Sequence, residues 1–117
     1  MIAPVTMYGI PNCDTIKKAR TWLSEHDVAF TFHDYRKDGL DRALLDELID
    51  RAGWETLLNR AGTTFRKLPE EDRVDLDRER ATALMLAQPG MIKRPVLVAG
   101  AITEVGFKPD RYAALFG

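Results

Sequence analysis

The chain has 117 residues and a mass of 13.2 kDa, which is the usual size of one domain. Its 17 Lys and Arg residues against 18 Asp and Glu residues leave a net charge of −1, whereas a general nucleic-acid-binding protein shows a clear basic excess. Cys13 is the one cysteine, so the chain has neither an intrachain disulfide nor a cysteine-rich zinc site.

The sequence predicts a cytoplasmic protein that does not enter a membrane. The longest nearly uninterrupted apolar run lies around Val96–Ile102, far short of the roughly 20 residues that a membrane span needs. The first residues, as far as Thr6, carry neither the basic start nor the long apolar stretch of a signal peptide. We expect a monomer without bound metal or cofactor, and with no nucleic-acid partner.

The first third of the chain predicts a strand, a helix and a second strand. Val5–Tyr8 is a short β-prone run that Gly9 closes, and Val28–Tyr35 is a second such run. Between them, Asn12–Thr15 is rich in helix-capping residues. Apolar residues then follow at helical spacing, at Ile16, Ala19, Trp22 and Leu23. Cys13 is therefore predicted at a turn from strand to helix.

The middle of the chain is predicted to be largely helical. Apolar positions over Leu44–Ala52 follow helical spacing, with Asp41 as the capping residue and Gly53 as the stop. A short helical turn is predicted over Trp54–Leu58, and a loop over Thr63–Leu68.

The next stretch is strongly charged before it becomes amphipathic again. Pro69–Arg80 is interpreted as a solvated helix face. Ala81, Leu84 and Met85 mark the apolar side of a third main helix, which ends at Pro89.

The last quarter predicts a hairpin and a terminal helix. Val96–Val98 and Ile102–Val105 flank Gly100, the pattern of two antiparallel strands, and Pro109 is well placed to open the final helix. Two β-α-β-like halves with helices on a sheet predict an α/β layered domain.

The position of Cys13 suits a nucleophile. A helix N-terminus lowers the pKa of a thiol, and the main-chain N–H groups of Asp14, Thr15 and Ile16 would point toward the sulfur. Lys17, one turn later, would favour the thiolate and help to bind an anion. Two observations count against this: a lone cysteine is usually a small buried hydrophobe, and the Asp14 carboxylate disfavours a thiolate.

Residues 8–19, YGIPNCDTIKKA, resemble the active-site segment of the arsenate reductase/Spx-like family of thioredoxin-fold proteins. Three further stretches agree with that family: Leu57–Arg60, Thr64–Leu68 and Ile92–Val96. The resemblance implies one thioredoxin-like domain over residues 1–117, with a mixed β-sheet flanked by helices and an all-helical insertion at about residues 40–88.

The resemblance also implies roles for individual residues. Cys13 matches the family's catalytic cysteine, Arg60 a first oxyanion-binding arginine, and Arg94 a second. Pro95 matches a proline that lies beside the active cysteine after a cis peptide bond. Lys108 takes the place of a third arginine, so the charge is kept but the planar guanidinium fork is lost.

Within the family the sequence looks like the YffB-like proteins, and this resemblance implies a thiol reductase with glutathione as co-substrate. Glutathione or a glutaredoxin-type protein would then be the partner. An Spx-like module that contacts the transcription machinery without catalysis is the alternative from another class. Arsenate reduction is the least favoured hypothesis, because Asp14 would repel an oxyanion and Lys108 lacks the guanidinium fork that grips one. Arg66 stays open: it would be a further cation at the site or would pair with the acidic run Glu70–Asp72.

Overall fold

The computed structural model describes residues 3–116 and divides them into two compact units. The first unit contains the chain up to Asp38 together with the residues from Arg94 onward, and the second is Gly39–Lys93. In chain order the helices are α1 (Asp14–Glu25), α2 (Arg42–Ala52), α3 (Trp54–Leu57), α4 (Thr63–Arg66), α5 (Glu70–Arg73), α6 (Arg78–Ala87) and α7 (Pro109–Phe116), with a 3-10 turn at Pro89–Met91.

The first unit contains a mixed four-stranded sheet with α1 and α7. Its strands are β1 (Val5–Gly9), β2 (Thr31–Asp34), β3 (Val96–Ala99) and β4 (Ile102–Val105), in the order β2-β1-β3-β4. β1 runs parallel to β2, while β3 is antiparallel to both β1 and β4. The prediction of a mixed sheet flanked by helices is confirmed, and so is the hairpin.

The core of the first unit lies between one face of the sheet and α1 and α7. Alternate residues of a strand point to the same face, so β1 and β3 each supply residues to this core. Its buried members are Val5, Met7, Ile16, Ala19, Leu23, Val28, Leu97, Ala99 and Tyr112. The helical spacing that predicted α1 therefore marks the side that packs on the sheet.

In the second unit the described elements are helices, joined by one isolated bridge between Leu58 and Ile92. The Asp41 carboxylate accepts a hydrogen bond from the Leu44 N–H at 2.8 Å, so the predicted cap of α2 is confirmed. The predicted stop is also confirmed, since Gly53 ends α2. The single domain and its insertion at residues 40–88 stay a prediction.

Two elements differ from the predictions because tertiary hydrogen bonds and burial intervene. β2 begins at Thr31 rather than Val28, because the Val28 N–H donates to the Leu23 carbonyl and closes the end of α1. The predicted loop over Thr63–Leu68 is wrong: Thr63–Arg66 is a short helix, whose Phe65 is buried. Burial of one aromatic side chain outweighs weak local propensity.

The charged stretch does not form one continuous helix. α5 ends at Arg73, and α6 begins only after Asp77, whose carboxylate accepts from the Arg80 N–H at 2.8 Å. The Arg80 guanidinium donates to the carbonyls of Glu71, Val74 and Asp75 and holds this connection. Among residues 3–116, the helices are all too short or too polar to cross a membrane.

Candidate active site

Cys13 is the N-cap residue of α1, as the sequence predicts. Its backbone is extended, with φ of −143° and ψ of 130°, and its N–H donates to the Pro11 carbonyl at 2.8 Å. Its own carbonyl accepts the Lys17 N–H at 3.0 Å, the first hydrogen bond of the helix. The Cys13 side chain is half-buried. The thiol therefore lies at the positive end of the α1 dipole and stays accessible to a reactant.

Opposing effects act on the thiol. Burial raises the pKa of Cys13, but hydrogen bonds from the main-chain N–H groups of Ile16 and Thr15, the charge of Arg94 and the Thr15 hydroxyl lower it. The lowering effects are larger together, so the pKa of Cys13 lies below its ordinary value. A lowered pKa gives more of the nucleophilic thiolate at neutral pH.

Gly9, at the end of β1, allows the Ile16 side chain to pack closely against the strand. A Cβ at Gly9 would lie 2.5 Å from Cδ1 of Ile16 and 3.6 Å from Cβ of Arg94. The Ile16 side chain is fully buried and cannot easily move away. The absence of a side chain at Gly9 therefore keeps the first turn of α1 close to the sheet.

The peptide bond between Arg94 and Pro95 is cis, which confirms the prediction from the resemblance. Pro95 is buried, and its carbonyl accepts the Gly106 N–H at 2.8 Å. Val96, the next residue, pairs with Tyr8 of β1. β3 thus starts beside the end of β1, and this pairing brings Arg94 within electrostatic reach of Cys13.

Two other predicted cations lie in the first unit. Lys17 is exposed on α1, and Lys108 is exposed just before α7, where its carbonyl accepts the N–H groups of Arg111 and Tyr112 at 3.0 and 3.1 Å. The positive charge that lowers the pKa of Cys13 comes from Arg94.

Arg60 belongs to the second unit. Its Nη2 lies 4.0 Å from Oε2 of Glu55, and its guanidinium carbon lies 5.6 Å from the ring centroid of Trp54. Its role in binding an anion stays a prediction. Arg66 is exposed, and within residues 3–116 it forms no ion pair with the acidic run that follows it.

The Thr15 hydroxyl is the contribution that sequence reasoning missed. The sequence predicts only the main-chain N–H of Thr15 at the sulfur, whereas its hydroxyl also forms a hydrogen bond that lowers the pKa of Cys13. A hydroxyl residue two positions after an N-cap cysteine is the signal that could have indicated it. In the part of the chain that the structure describes, no three His, Cys, Asp or Glu residues cluster in a way that could hold a metal ion.

Comparison with known proteins identifies the family of this chain. The sequence pattern of the ArsC family matches residues 8–115. The solved structure of a protein named YffB has 60% identity and a TM-score of 0.91, and the match covers 97% of this chain and 99% of that one. An arsenate reductase (ArsC) related protein from Brucella melitensis has 58% identity and a TM-score of 0.81, with 97% and 94% covered.

A more distant relative is the global transcriptional regulator Spx of Listeria innocua. It is 29% identical over 111 residues, which span 91% of this chain and 82% of that protein. The similarity to YffB over nearly the whole of both chains confirms the thioredoxin-like fold. Because the family pattern covers almost the whole sequence, the chain belongs to the ArsC family.

Proposed function

We propose that this protein is a glutathione-dependent thiol reductase that acts on mixed disulfides through Cys13. The observation that carries the proposal is the half-buried thiol at the N-terminus of α1, whose pKa is lowered by two main-chain N–H groups and by Arg94. A thiolate is the species that attacks a disulfide, so this setting favours thiol–disulfide exchange.

The reaction balances with glutathione as the reductant. The Cys13 thiolate attacks the glutathione sulfur of a mixed disulfide, so the disulfide bond breaks, the substrate thiol leaves and takes up a proton, and a Cys13–glutathione disulfide forms. The thiolate of a second glutathione then attacks that sulfur, which releases oxidised glutathione and regenerates the Cys13 thiolate. Overall, the thiol of the second glutathione is oxidised and the substrate sulfur is reduced, while the first glutathione sulfur is part of a disulfide before and after the reaction.

Cys13 is the only cysteine in the chain, so the second thiol must come from another molecule. An internal disulfide cannot resolve the intermediate. A free glutathione molecule or a glutaredoxin-type protein would supply that thiol.

The proposal assigns the cations to the carboxylates of the glutathione moiety. Arg94 and Arg60 would bind them through their guanidinium forks, which match a carboxylate bidentately. Lys17 and Lys108 would add charge without that geometry. Pro95 would shape the surface on which the disulfide rests.

The direct test combines intact mass measurement with turnover. We expect oxidised glutathione to add about 305 Da to the protein on Cys13, and reduced glutathione to remove the adduct. Reduction of a glutathionylated substrate should require added glutathione and should disappear in Cys13→Ser. Full turnover by Cys13→Ser would show that the reaction does not require the Cys13 thiol.

A binding module without catalysis is the second candidate, because the chain is similar to Spx over 111 residues. Such a module would contact the transcription machinery and would need no turnover. A Cys13→Ser protein that keeps full biological function, together with a wild type that fails to exchange with glutathione, would favour this candidate.

Arsenate reduction is a third candidate for a member of the ArsC family. Asp14 is exposed in the first turn of α1, next to the thiol. Its negative charge would repel arsenate more strongly than a less highly charged disulfide. We therefore expect arsenate turnover to be slow or absent under conditions in which the mixed disulfide is reduced.

A further inference from the structure

A groove on the exposed side of α1 begins one turn after Cys13. It is an open groove with a volume of about 410 Å³, which lies within the usual size range of ligand sites. The residues that line it include Lys17, Lys18, Trp22, Glu25, Phe107 and Pro109. The mechanism proposed above uses the thiol and the groups around it, and leaves most of this groove without a role.

The aromatic walls of the groove are held in place by the core. The Trp22 ring stacks on His26, with 3.8 Å between ring centroids and 12° between planes, and meets Tyr112 edge-on at 5.5 Å. Phe107 meets the same tyrosine edge-on at 4.7 Å. Because Tyr112 is fully buried, these two walls are ordered before any ligand arrives. Apolar contact with them would cost little conformational entropy.

The two ends of the groove carry opposite charge. Lys17 and Lys18 lie at the end nearer to Cys13, and Glu25 lies at the far end of α1. Within residues 3–116, none of these three side chains forms an ion pair. Lys17 is assigned above to the glutathione carboxylates, so the charges of Lys18 and Glu25 are the ones available to complement a ligand that is acidic near the thiol and basic further away.

We propose that this groove binds an extended polypeptide segment with an acidic residue, two apolar residues and then a basic residue. Seven helical positions separate Lys18 from Glu25, about 10 Å along the axis. An extended chain covers that distance in about three residues. The inference rests on the proposed function in one respect: the segment would belong to the protein whose mixed disulfide Cys13 attacks.

The test measures binding without any sulfur chemistry. The probe is a cysteine-free peptide, acetylated and amidated at its ends, with one aspartate and one lysine separated by two leucines. It is titrated into the full-length Cys13→Ser protein labelled with ¹⁵N. The two indole N–H signals report separately, because Trp22 lines the groove whereas Trp54 lies in the second unit. We expect the chemical shift of the Trp22 signal to change with peptide concentration until binding is saturated. The chemical shift of the Trp54 signal should not change.

Charge variants then identify the groove as the binding site. Lys18→Glu should weaken the affinity for the peptide about five- to tenfold, because the attraction between residue 18 and the aspartate of the peptide becomes a repulsion. Lys37→Glu makes the same charge change on another exposed lysine of the first unit and should change the affinity less than twofold. A peptide with lysine in place of the aspartate should regain affinity for Lys18→Glu.

Three results would overturn the inference. The Trp22 signal could stay unmoved at millimolar peptide, or Lys18→Glu and Lys37→Glu could bind the peptide equally. S-methylglutathione could also displace the peptide, which would make the groove a glutathione subsite instead. The assay contains neither Cys13 nor a disulfide, so its failure leaves the reductase proposal standing. Loss of reductase activity equally leaves the binding result unaffected.

Discussion

Arg94 acts electrostatically on Cys13, although the two residues lie at opposite ends of the chain. Arg94 immediately precedes Pro95 and β3, and β3 pairs with β1, the strand that leads into Cys13. The antiparallel pairing of these two strands thus brings a guanidinium to a thiol at the start of α1. The charge favours the thiolate over the neutral thiol.

Removal of this charge should raise the pKa of Cys13. In Arg94→Gln the alkylation rate should reach half its plateau at a higher pH, because less thiolate forms at any given pH. Arg94→Lys keeps the charge and should lie between wild type and Arg94→Gln. The measurement is the rate of iodoacetamide alkylation across pH. Arg36→Gln, an exposed residue of the same unit, is the matched control, and an equal shift in it would contradict the role of Arg94.

The Thr15 hydroxyl should lower the pKa of Cys13, as the charge of Arg94 does. Thr15→Val removes the hydrogen bond to the sulfur with little change in volume, so the pKa of Cys13 should rise. Thr15→Ser keeps a hydroxyl, so the pKa of Cys13 should stay close to its wild-type value. The same pH titration of alkylation checks both variants. Identical pH profiles of alkylation for Thr15→Val and Thr15→Ser would show that the hydroxyl has no effect on the pKa of the thiol.

Gly9 should tolerate no side chain. Gly9→Ala places a methyl group against the buried Ile16 and should reduce the free energy of unfolding by about 1–3 kcal/mol, the usual cost of overpacking. Chemical denaturation measures the change. Gly90→Ala is the control, because a Cβ there has only Thr64 Oγ1 nearby, at 3.9 Å. Equal stability of the two variants would mean that the Gly9 site relaxes freely.

The carboxylate of Asp14 should limit reaction with arsenate. In Asp14→Asn we expect a lower pKa for Cys13 and faster arsenate turnover, because a negative charge beside the thiol is lost. Asp110→Asn is matched to it, since Asp110 is also in the first turn of a helix in the same unit. Each variant should lose about 0.3–1 kcal/mol of helix-dipole stabilisation. Unchanged arsenate turnover in Asp14→Asn would show that the carboxylate does not determine the substrate.

The cap of α2 should contribute measurably to stability. Asp41→Ala leaves the Leu44 N–H without its side-chain acceptor and should cost about 1 kcal/mol of unfolding free energy. Asp41→Asn keeps an oxygen acceptor and should be close to wild type. Thermal or chemical denaturation distinguishes the two variants. Equal stability of Asp41→Ala and Asp41→Asn would contradict the role of the Asp41 side chain as the cap of α2.

The local signals in the sequence were sufficient for most elements near the site. The capping residues before Ile16 indicated the start of α1 at Cys13, and Asp41, Gly53, Gly100 and Pro109 marked other boundaries correctly. These signals depend on contacts between residues close in the chain, so they can be recognised without tertiary information.

The sequence by itself thus determined the mixed α/β composition, the helical middle and a thiol at a helix N-terminus. Only the tertiary structure decided that Thr63–Arg66 is helical, that the Thr15 hydroxyl reaches the sulfur, and that Arg94 is the one of the predicted cations whose charge lowers the pKa of Cys13. It also decided that Lys17 and Lys18 share a groove with two aromatic rings. The physical reason is that burial and electrostatic interactions depend on distances between residues far apart in the chain, which no local pattern encodes.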